Sequence, residues 1–111
     1  MKRKLFKSYE FEFDVNQKKV LATFVKQSLK QMETDTRLVR EVKVFNSIAD
    51  KLSSSTEKIK FTKDEKTKLT FQLKENVKHL KKKMDGAWFL TKWFYKNMYT
   101  QYNKILKILE D

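Results

Sequence analysis

Tyr9, Phe11, Phe13 and Val15 alternate with Glu10, Glu12 and Asp14, the period of a strand with one buried and one wet face. After Val15 the apolar spacing lengthens to three and four residues. Leu21, Phe24, Val25, Leu29 and Met32 then form one stripe of a helix running from about Asn16, with Asp14 or Asn16 as its N-cap. Thr34, Asp35 and Thr36 interrupt the pattern and offer a new cap. Leu38, Val42, Phe45, Ile48, Ala49 and Leu52 predict a second helix ending near Leu52. Ser53 to Thr56 is the only low-complexity stretch and reads as a linker.

The same order then returns. Lys58-Ile-Lys-Phe61 alternates as a short strand, and Thr62 with Glu65 forms a capping box at the head of a helix reaching about Met84. Its stripe is Leu69, Leu73, Val77, Leu80 and Met84, and Gly86 suits the residue just past its end. The last helix, Ala87 to Leu109, holds seven of the chain's fifteen aromatics and both tryptophans. On a wheel of about 100° per residue, Trp88, Tyr95, Tyr99, Tyr102, Leu106 and Leu109 fall together, with Phe94, Met98 and Ile105 beside them. Large rings bury the most area, so this helix is expected to be the central beam of the core.

The two strands complement each other. Glu10 and Glu12 project from one and Lys58 and Lys60 from the other, while both bury aromatic or branched residues, which suits direct pairing. An offset of 48 places Phe13 on Phe61, Asp14 on Thr62, Gln17 on Glu65, Leu21 on Leu69, Val25 on Leu73, Leu29 on Val77 and Met32 on Leu80. The expected fold is therefore mostly α: about four helices in a compact bundle with a two-stranded β-ribbon. The chain is expected to be a single domain over residues 1–111, with internal halves 9–53 and 58–110 reading as degenerate strand–helix–helix repeats.

Composition sharpens this picture. The chain has one glycine and no proline, so long loops are disfavoured and helices joined by short polar connections are favoured. It has no cysteine, which removes disulfides, thiolate chemistry and cysteine-ligated zinc. The basic N-terminal stretch lacks the apolar run of a signal peptide, and Lys92 and Lys96 interrupt the best candidate for a membrane span. A cytoplasmic setting is expected.

Charge carries the functional expectation. Twenty-six Lys and Arg stand against fourteen Asp and Glu, a net +12, and only Arg3, Arg37 and Arg40 are arginines. Such an excess attracts polyanions. The lysine bias with abundant Phe, Tyr, Ile and Asn is also what an A·T-rich genome writes, and with the small size it fits a phage or mobile-element protein. Arginine is the residue suited to bidentate base recognition, so its scarcity points to backbone contact without sequence readout.

The candidate surface is a field of lysines with rings inside it. Lys63, Lys74, Lys78, Lys81 and Lys82 lie opposite the third helix's apolar stripe, with Phe71 among them. Lys92, Lys96, Lys104 and Lys107 share the polar side of the last helix with Phe89 and Trp93. Cations beside stacking rings are what single-stranded nucleic-acid binders use. The plainer alternative packs Phe71, Phe89 and Trp93 against the N-terminal half or a second subunit and leaves a solvated lysine face. The expected function is nucleic-acid binding through Lys74, Lys78, Lys81, Lys82, Lys92, Lys96, Phe71 and Trp93. The alternative is an interaction or inhibitor protein docking on an acidic partner surface. A homo-oligomer is compatible with either.

Other chemistry finds no support. A strand followed by two helices is the order of ribbon-helix-helix DNA binders, but Glu10, Glu12 and Asp14 on the outward strand face would repel phosphate. His79 is the only histidine and has Lys68, Gln72, Glu75 and Lys83 around it, so it reads as an exposed helix residue. Asp35, Glu41 and Lys43 echo a nuclease set but fall on a helix where that chemistry needs a strand. No cofactor, metal or catalysis is expected. Membrane docking is set aside because the ring-bearing face is also the expected core face.

Overall fold

The computed structural model describes residues 8–54, 58–86 and 88–110, the side chains of Phe89 and Leu90 excepted. In chain order they form β1 (Ser8–Glu12), α1 (Val15–Met32), a 3-10 turn (Thr36–Leu38), α2 (Val39–Leu52), β2 (Lys58–Thr62), α3 (Lys63–Asp85) and α4 (Phe89–Glu110). The fold is mostly α with a two-stranded antiparallel sheet, as expected. Packing divides the chain within α3, into a unit of Met1–Leu69 and a unit of Thr70–Asp111.

In the first unit β1 and β2 pair with Glu10 opposite Lys60, Phe11 opposite Ile59 and Glu12 opposite Lys58. All four charged side chains are exposed, while Phe11, Ile59 and Phe61 are buried. Phe11 stacks at a tilt on Phe61, with ring centroids 5.9 Å apart. The expected alternation stops earlier than Val15. Asp14 takes the extended conformation of an N-cap, its carboxylate accepting the Gln17 N–H at 2.7 Å while Gln17 Oε1 accepts the Asp14 N–H at 3.0 Å. That box starts α1 at Val15, which is therefore 70% exposed instead of facing the core. Asn16 does not cap.

Leu21, Phe24, Val25, Leu29 and Met32 are all buried, so the stripe read for α1 holds in full. α1 packs on α2. Asp35 caps the 3-10 turn and pairs with Arg37, whose side-chain hydrogen bond, followed by its N–H, holds the Asp35 carboxyl below its ordinary value. α2 begins only at Val39, so Leu38 lies in the turn and is half-buried, as are Val42 and Ala49; Phe45, Ile48 and Leu52 are buried. Of the serine-rich linker, Ser53 and Ser54 follow α2 directly, and Ser55 and Thr56 lie outside the described residues.

The second capping box is also present: Thr62 Oγ1 accepts the Glu65 N–H at 3.1 Å and Glu65 Oε1 accepts the Thr62 N–H at 2.8 Å. Ser47 and Lys51 of α2 reach the same carboxylate at 2.5 and 2.6 Å, so Glu65 ties α2 to the start of α3. Phe11 and Ile59 stand 48 positions apart and directly opposite each other, so the axis relating the two strands at that offset passes between them.

In the second unit Leu73 and Leu80 of α3 are buried, and Val77 and Met84 half-buried. Lys74 Nζ meets Glu110 Oε2 at 2.6 Å and Lys83 Nζ lies 5.8 Å from the Tyr95 ring centre, so α4 runs back along α3 as an antiparallel hairpin. The expectation that all of α4 forms the core's beam is corrected. Tyr102, Ile105, Leu106 and Leu109 are buried, but Tyr95, Met98 and Tyr99 only half, and Phe94 is 55% exposed. Trp88 precedes the helix and is 73% exposed. The reason lies across the hairpin. After Leu80, α3 presents Lys81, Lys82 and Lys83, all exposed, and only Met84 as apolar cover. Gly86 stands just past the end of α3, as expected, without a positive φ.

Candidate nucleic-acid interface

Apart from Lys63, which lies in the first unit, the candidate surface falls in the second unit. Leu69, Leu73 and Leu80 fix the buried side of α3, and steps of about 100° put Phe71, Lys78 and Lys82 directly opposite, flanked by Lys74 and Lys81. All five are exposed, Phe71 by 58%. From Phe71 to Lys82 the row follows the helix for roughly 16 Å at about 1.5 Å per residue. A shallow depression along it is edged by Glu75, Lys78, His79, Lys81 and Lys82.

The lysines are not equally committed. Lys74 is held by Glu110 at 2.6 Å and Lys78 loosely by Glu75 at 3.5 Å. Lys81 and Lys82 have no ion pair within 4.0 Å among the described residues. The Lys74–Glu110 and Lys78–Glu75 pairs join exposed side chains and are of the kind that contributes little and exchanges readily for another anion.

On α4, Trp93 points away from the Tyr102, Ile105 and Leu109 side and is 70% exposed. Lys92 and Lys96, adjacent and one turn on, are exposed, as are Lys104 and Lys107. Phe71 and Trp93 are therefore both exposed rings beside exposed lysines. The Phe89 side chain lies outside the described residues.

This arrangement offers point charges and open ring faces. His79 is exposed, Asp35 is engaged by Arg37, and Glu41 and Lys43 sit on α2. No group of acidic residues and histidine suited to a metal ion occurs among the described residues, and no helix there is long and apolar enough to cross a membrane.

The sequence reading missed two exposed rings, Trp88 and Phe94, which it assigned to the core. The signal was present in Lys81-Lys82-Lys83, since three successive lysines on the partner helix cannot cover an apolar stripe. Compared with protein-family models, characterised proteins and solved structures, the chain matches none. What this surface does must follow from its own charges and rings.

Proposed function

We propose that the second unit binds nucleic acid along the α3 lysine row, through the phosphate backbone and without reading sequence. The observation that carries this is Phe71: a ring more than half exposed within a row of exposed lysines. A solvated face kept only for solubility has no use for it. Lysine ammoniums meet phosphates as point charges, so Lys78, Lys81 and Lys82, with Lys74 released from Glu110, track a strand without choosing bases. Lys92 and Lys96 extend the positive surface onto α4. A base stacked on Phe71 favours single strands, whose ring faces are open.

Fluorescence anisotropy on single- and double-stranded oligonucleotides over a salt series tests this. Four phosphate contacts give a log–log slope of about −3.6 on duplex and about −2.8 on single strands. Changing Lys78 and Lys82 to Glu should flatten that slope and weaken all sequences alike. Phe71→Ala should cost about 1–3 kcal/mol on single strands and much less on duplex. Absence of binding at low salt refutes the reading and makes an acidic protein the partner to seek, by pull-down against the charge-reversed variant.

A further inference from the structure

The turn between α3 and α4 joins the end of the lysine row to exposed rings that the row does not use. Both tryptophans of the chain lie there, 73% and 70% exposed, with Phe94 beside them at 55%. The sequence across the turn reads Lys81-Lys82-Lys83-Met-Asp-Gly-Ala-Trp-Phe-Leu-Thr-Lys92-Trp-Phe-Tyr-Lys96, an apolar run with lysines on both flanks and Asp85 as its sole acid. The hairpin contact between Lys83 and Tyr95 sets the two flanks beside each other.

We propose that this tip docks on an anionic lipid surface, its rings entering the headgroup layer and its lysines meeting the lipid phosphates and carboxylates. Trp and Tyr favour that layer because they join an apolar body to a polar edge. Lysine stems lie along apolar surface while their ammoniums stay among the headgroups. The ring geometry selects lipid over a nucleic-acid strand. Trp93 and Phe94 are consecutive on α4 and so diverge by about 100°. They cannot stack successive bases of one strand, whereas a tip pressed into a headgroup layer accepts rings on several sides. On the sequence, membrane docking is set aside because the ring-bearing face, with Trp88 and Phe94, is also the expected core face. Their exposure removes that reason.

The proposal shares Lys81, Lys82, Lys92 and Lys96 with the proposed nucleic-acid surface, but Phe71, Lys74 and Lys78 take no part in it. With no other tryptophans, the intrinsic fluorescence of the full chain reports on the tip alone. Added vesicles of phosphatidylcholine with phosphatidylserine should shift the emission to the blue and co-sediment the protein; phosphatidylcholine alone should do neither. Each of Lys82→Gln and Lys92→Gln should lower vesicle partitioning roughly fivefold. Trp88→Ala with Trp93→Ala should abolish co-sedimentation in a variant whose circular dichroism is unchanged, while Phe71→Ala leaves it intact. No blue shift and no co-sedimentation at low salt would overturn the proposal. So would vesicle binding indifferent to the double tryptophan change, or a tryptophan response to oligonucleotides and none to vesicles. Oligonucleotide affinity is measured separately, so either activity can fail without the other.

Discussion

Glu65 shows how one side chain can be read correctly and still underestimated. The spacing of Thr62 and Glu65 identifies a capping box from sequence, because the motif is local. That Ser47 and Lys51 converge on the same carboxylate is not readable, since they come from another helix 18 and 14 residues away. The result is a carboxylate 5% exposed with every contact charge-assisted or capping. Burial pushes its carboxyl up, but hydrogen bonds from Lys51, Ser47 and the Thr62 N–H, with the Lys51 charge, together hold it below its ordinary 4.5. A folded value below the unfolded one adds stability that is complete above the unfolded value and is lost as pH falls through the folded one. Denaturant melts should therefore show the wild type losing stability below about pH 4.5. Glu65→Gln should flatten that acid limb. Glu65→Ala, which removes the cap and leaves Ser47 and Lys51 without their acceptor, should cost about 2–3 kcal/mol near neutral pH. A cost under half a kcal/mol would mean that α2 and α3 do not depend on this junction.

At the scale of elements, periodicity alone placed α1 and its five buried residues, because that helix has a clean stripe and a local cap. It failed on α4, whose rings surround so much of the helix that the wheel cannot say which are covered. Cover depends on the facing helix, and α3 supplies leucines opposite one half of α4 and lysines opposite the other. The two halves should respond differently to truncation. Leu106→Ala removes a side chain 6% exposed and should destabilise by about 3 kcal/mol, with the cavity term included. Trp93→Ala, at 70% exposure, should change stability by less than about 0.5 kcal/mol despite deleting a far larger side chain. Urea melts of the two variants decide it. Equal losses would put Trp93 inside the core and remove it from any binding surface.

At the scale of the molecule the question is whether its +12 charge acts as a diffuse field or through one surface. The first unit's sequence holds seventeen Lys and Arg against ten acids, and the second's nine against four, so excess charge alone does not single out either. Arrangement does. On the ribbon, Lys60 faces Glu10 and Lys58 faces Glu12, so an approaching phosphate meets both signs at once. That pairing was readable from alternation and charge, and it is also why the ribbon does not suit the DNA groove. On α3, Lys78, Lys81 and Lys82 share one face with Glu75 as the nearby acid. Charges farther off than the screening length, about 8 Å at physiological salt, contribute little. Two matched variants separate the cases: Lys58→Gln with Lys60→Gln, and Lys78→Gln with Lys82→Gln. Each removes two positive charges, so a diffuse field predicts equal losses of oligonucleotide affinity. A local surface predicts that the α3 pair reduces the magnitude of the salt slope by about 1.4 on single strands, two contacts' worth, while the ribbon pair leaves it unchanged. Gln is used because Glu at Lys58 or Lys60 would oppose like charges across the strands and confound binding with folding. Equal slopes for both variants would assign the binding to net charge and leave the α3 row without a special role.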